Sequence, residues 1–241
     1  MKITRSIAAA TAGAAVVVLC GGQAATAAAP GAAGAAAPAT CSAASLAYVQ
    51  AKVGLAVSKR ELTIGQLTSA LAQRAHVTDA HRAALAGLFT ADAAGLQSVN
   101  ATVHTDATCR QAVTDGRTVV TTYRVYMLLV PQTHLVAAAD TGTYAAGRLT
   151  AVEPKLQAGI DAIADPTKKA QAQTAYDDLV AQTKAASDDV AAVGDTMLAL
   201  TPAQMPAGQS TVDAERAKVT SGRTALTTAL QDAKTIESLL A

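Results

Sequence analysis

Leu135, Gly142, Leu149, Leu156 and Ile163 stand seven residues apart, with Ala138, Ala145 and Val152 at the intervening seam positions. The same beat returns in Val212, Val219, Leu226, Ala233 and Leu240, with Leu230 and Ile236 beside them. Between the two runs, Leu179, Ala186, Val190, Val193, Met197 and Leu200 keep heptad spacing. Such spacing lays a single apolar stripe along a helix, whereas the two-residue period of a strand would scatter it over both faces. Three long helices of roughly 32 residues, each about 48 Å, are therefore expected, packed as an antiparallel, coiled-coil-like bundle. Asp165-Pro166 reads as an N-cap followed by proline at the first helical position. Thr201-Pro202 and Pro206-Ala207-Gly208 break the run before a last helix from about Ser210. Pro154 lies off the seam and is expected to kink its helix without removing the packing face.

Upstream, Leu46, Val49, Val53, Val57, Ile64, Leu67 and Leu71 predict a helix over 42–75. Thr78 looks like an N-cap with Asp79 in the first turn, opening a second helix to about 105. Leu85, Leu88, Phe89, Leu96, Val99 and Val103 share its apolar face. The two form an antiparallel hairpin, which returns Cys109 to the neighbourhood of Cys41. A third helix is expected over 108–126, although its Val, Thr and Tyr content favours strand. Hydrophobic residues make up 51% of the chain but aromatics 2%, with no Trp and one Phe, so the core must be built from small and aliphatic side chains. The fold class is all-α: an elongated antiparallel helical bundle with a disulfide-tied N-terminal hairpin, one domain over 41–241 with a sub-boundary near 131.

The first 27 residues read as a secretory signal. Lys2 and Arg5 give the positive n-region, Ile7 to Leu19 the apolar stretch, and Ala25-Thr26-Ala27 the cleavage site. Cys20 offers a lipidated alternative, but Leu19 stands where such signals place a small residue. Residues 28–40, rich in Ala, Pro and Gly, read as a disordered spacer. The chain holds 19 basic and 18 acidic residues, and Lys2 and Arg5 leave with the signal. A mature charge near −1 argues against nucleic acid and anionic membranes as partners. No transmembrane segment is expected after signal removal. Cys41 and Cys109, the cysteines left in an exported chain, predict one disulfide closing a loop of roughly 70 residues, a stabilisation of about 4 kcal/mol.

Groups that could carry chemistry are few. Asp140-Thr141-Gly142-Thr143 matches the aspartic-protease signature over four residues, but that chemistry needs two carboxylates sharing a proton, and no second copy follows. Gly142 instead occupies a seam position, where a small residue lets helices approach. His76, His81, His104 and His134 lack the spacing of a helical zinc site, and no cofactor or metal motif appears. Asp177-Asp178 and Asp188-Asp189 read as a solvated face rather than a calcium site.

Thr121 to Val136, TTYRVYMLLVPQTHLV, differs from its surroundings: tyrosines, an arginine, a histidine and a proline interrupt a run of large aliphatics. In one reading Tyr126 to Val130 is extended and Pro131 ends it, with Gln132 or Thr133 opening the next helix. In the other the helix continues through a kink. Tyr123, Arg124, Tyr126 and His134 would gather at this junction, either plugging the bundle's end or forming a binding cluster. The block from Tyr123 to Val136 resembles one in secreted, alanine-rich helical proteins of actinobacteria, Streptomyces-like in character. That resemblance implies export and source, and it supplies no activity.

Together these readings describe an exported, non-enzymatic helical scaffold or binding module, extracellular or associated with the cell wall. Its partner would be a protein or a wall component, and self-association through the heptad faces stays open. The alternative is a secreted hydrolase using Asp140 or the Tyr123/Arg124/His134 cluster.

Overall fold

Four of the helices begin where a short polar side chain satisfies free amide groups. In the computed structural model, which describes residues 41–240, Ser42 caps α1 (Ala43–Ala72), Thr78 caps α2 (Asp79–Thr105) and Thr108 caps α3 (Cys109–Thr121). The leader and spacer expected over 1–40 lie outside the described residues. Helix α4 (Val130–Asp161) follows a five-residue π-turn over Val125–Leu129. Asp165 caps α5 (Pro166–Val190), its Oδ1 accepting from the amides of Thr167 and Lys168 at 2.8 and 3.0 Å. A short α6 (Val193–Ala199), a 3₁₀ turn over Pro202–Gln204 and α7 (Gln209–Leu240) complete the chain.

Helices α1 and α2 form the expected antiparallel hairpin. Gln50 of α1 donates to the carbonyl of Val103 near the end of α2 at 3.0 Å. The Cys41–Cys109 disulfide closes that end, with its Cα atoms 5.7 Å apart. At the other end Arg82 reaches back from α2 to the carbonyls of Leu71 and Arg74, satisfying the free C-terminus of α1. Helices α4 and α5 run antiparallel, as do α5 and α7, which leaves α4 and α7 parallel.

Two clusters form the core. The first joins the hairpin to the upper bundle through Val57, Leu85, Leu96, Val125, Val136, Val193, Met197 and Val212. The second fills the lower bundle, and five of its ten buried residues are alanines. Alanine at that density brings helix axes close together, and glycine closes the gap further. A Cβ on Gly142 of α4 would lie 3.3 Å from Val190 of α5, and one on Gly222 of α7 would lie 2.9 Å from the same side chain. Val190 is thus gripped from both sides, and the seam role expected for Gly142 holds.

Three local expectations change. Helix α3 ends at Thr121 rather than 126. The break falls at Arg124, in the left-handed region (φ 42°), and not at Pro131. Val130 donates to Val125, a five-residue step, so the bonding ladder slips just before Pro131 and the missing N–H falls in the first turn of α4. The block is therefore neither extended nor merely kinked. The helix expected to continue through Val193 to Leu200 is broken after Val190. Its last turns swing away as α6, held because Gln132 of α4 donates to the carbonyls of Met197 and Leu200 at 2.8 and 2.9 Å. The seam also fails in places: Leu230 is 50% exposed and Val152 37% exposed. Among the described residues no helix is long and apolar enough to cross a membrane.

Candidate functional site

The turn between α1 and α2 is fastened to α4 by a polar latch. Asp140, buried on the hairpin-facing side of α4, accepts from the backbone amide of Thr78 at 2.8 Å and from His81 Nδ1 at 2.9 Å. The other ring nitrogen of His81 meets the exposed carboxylate of Asp195, on α6, at 3.2 Å. The close approach requires Gly194, where any side chain would collide with the imidazole. Burial opposes charging of His81, but hydrogen bonds and charge attraction from Asp195 and Asp140 outweigh it, and its pKa is raised. One imidazole thereby joins α2, α4 and α6. Asp140 is occupied as a structural acceptor, and His81 rather than a second carboxylate stands beside it.

Four residues away, Tyr144 stacks on His76 from the same turn, ring centroids 3.8 Å apart and planes within 10°. This pair closes one end of a surface groove of about 500 Å³ between α4 and α7. Its floor is apolar, from Ala145, Leu149 and Val152 on one side and Leu226 and Leu230 on the other. Arg148 stands on its edge, donating to the Tyr144 hydroxyl at 3.4 Å. The volume falls in the range of ligand sites, and the lining combines an apolar trough with few polar groups.

The four residues of the junction block do not converge. Tyr123 packs over Gly95 of α2. Tyr126 lies against α1, where the Arg60 guanidinium sits 5.1 Å from its ring centroid and Thr63 reaches its hydroxyl at 3.5 Å. Arg124 donates to the Met127 sulfur. His134 borders a small gap against Leu71 and Arg74, where burial and then the Arg74 charge lower its pKa. They line successive levels of the hairpin, spread out by the π-turn.

His104 donates to the Asn100 carbonyl at 2.7 Å. Asp188 pairs with Lys184 at 2.6 Å, and Asp177 accepts from Gln173 at 2.8 Å. Among the described residues no group of three or more His, Cys, Asp or Glu comes together in a metal-binding arrangement. The sequence reading passed over both the latch and the groove. Their signals were an aspartate ending the run Ala137-Ala138-Ala139 inside an apolar helix, and seam positions that one chain cannot all bury. Comparison with protein-family models, curated proteins and solved structures gave no match.

Proposed function

We propose that the chain is an exported, non-enzymatic helical protein that acts outside the cell or at its wall as a scaffold or binding module. The observation carrying this reading is the groove between α4 and α7, an apolar trough left open along the bundle. Exposed apolar residues at heptad spacing are costly in water unless something covers them. A hydrolase built on Asp140 finds less support, because that carboxylate already accepts from Thr78 and His81. A hydrolase built on Tyr123, Arg124 and His134 would need groups that here face different neighbours.

The test immobilises the wild-type protein and its Leu230→Glu variant and exposes each to cell-wall and culture-supernatant fractions. A component held by the wild type and released by the variant is expected. Retention of nothing, or equal retention by both, would overturn the reading.

A further inference from the structure

The groove between α4 and α7 has a predominantly basic rim. Arg148 stands on its edge, and three more cations lie one helical turn from residues that line it. Lys155 follows Val152 by three positions, Arg223 precedes Leu226 by three, and Lys234 follows Leu230 by four. All four are exposed. None is ion-paired with a carboxylate of a described residue. Of the acids on these two helices, Asp140 is occupied by His81 and Glu153 acts on Tyr176 of α5, while exposed Glu237, seven positions after Leu230, sets one carboxylate against the four cations.

The floor has helical register. Ala145 and Val152 are seven apart on α4, in the seam that α5 and α7 leave uncovered, and Leu226 and Leu230 face them from the parallel α7. Three helices are present, and a fourth laid in this groove would complete a four-helix bundle. We propose that the groove receives an amphipathic helix of a partner protein, apolar on the face that enters and acidic on its flanks. This rests on the binding-module reading above. Charge complementarity selects the flanks, because an acidic helix meets Arg148, Lys155, Arg223 and Lys234 while a basic one is repelled. A second copy of this chain fits poorly. Its exposed α1 stripe of Tyr48, Leu55 and Leu62 is flanked by Lys52 and Lys59 and would bring cations onto cations.

The probe is a synthetic helix of about three heptads, leucine at its a and d positions and glutamate at the flanking e and g positions. A twin carries lysine at the flanks. Each is fluorescently labelled and titrated by anisotropy against the whole protein. The acidic helix should bind saturably at one per chain, at least about tenfold more tightly than its basic twin, and more weakly as salt rises. Leu230→Glu and Arg148→Glu should each weaken binding by about tenfold or more. Lys184→Glu, on the outer face of α5, should leave it unchanged. Several results would overturn the proposal: no saturable binding up to about 1 mM, equal binding of the twin, or indifference to both groove substitutions. So would groove-dependent binding of dodecanoate or anionic vesicles in place of the helix, or dimerisation that Leu230→Glu abolishes. If the helix fails while a wall or supernatant component is still lost with Leu230→Glu, the occupant is misassigned and the binding-module reading stands.

Discussion

His81 ties the N-terminal hairpin to α4 and α6. Removing it leaves the buried Asp140 carboxylate with the Thr78 amide alone, so His81→Ala should cost about 1–3 kcal/mol. The cost should depend on pH. The folded-state pKa of His81 is raised, so the charged latch contributes in full below the unfolded value near 6.5 and fades as pH rises through the folded value. Urea unfolding at about pH 5.5 and pH 8.5 should therefore show a larger deficit for His81→Ala at the lower pH; equal deficits would contradict the assignment. Burial lifts Asp92 to about 6 and lowers His134. Both act in wild type and variant alike, so the comparison isolates His81. At this scale the sequence was partly legible. Thr78 and Asp165 announced themselves as caps because capping is local chemistry. The latch did not, because its three members are 59 and 114 residues apart along the chain.

Among the elements, the π-turn and α6 both escaped sequence reading. The π-turn follows a stretch rich in Val, Thr and Tyr, whereas α6 breaks a run of good helix formers through contacts from other parts of the molecule. Ala191 and Ala192 would continue a helix on propensity alone, yet Gln132 and His81 draw the following turn away. At the other break Arg124 holds a left-handed conformation that glycine adopts without penalty. Arg124→Gly and Arg124→Ala both lose the guanidinium, so their difference reports the backbone. The glycine variant should be the more stable by about 1 kcal/mol in chemical denaturation. Helix packing offers a second contrast. Gly222→Val would drive side-chain atoms into Val190 and toward the Ala186 carbonyl, costing roughly 1–3 kcal/mol. Gly147 sits in mid-helix with open space around its Cα, and Gly147→Ala should gain about 0.5–1 kcal/mol. Thermal melts followed by circular dichroism would separate the two by sign.

For the whole molecule, the all-α class, the hairpin and the disulfide were readable because each follows from period, cap or topology. The heptad pattern also predicted more burial than one chain achieves: Val152 belongs to a seam in the sequence and Leu230 stands beside one, yet both lie at the surface in the fold. On that mismatch rests the proposal that a face patterned for a helix, left open and edged mainly with cations, receives a partner. A photo-crosslinking residue placed at position 230, 152 or 184 and activated in the culture that produces the protein tests this most directly. The account predicts a discrete adduct from positions 230 and 152 and none from 184 on the outer face of α5. No adduct at the groove positions, or the same adduct from all three, would contradict it.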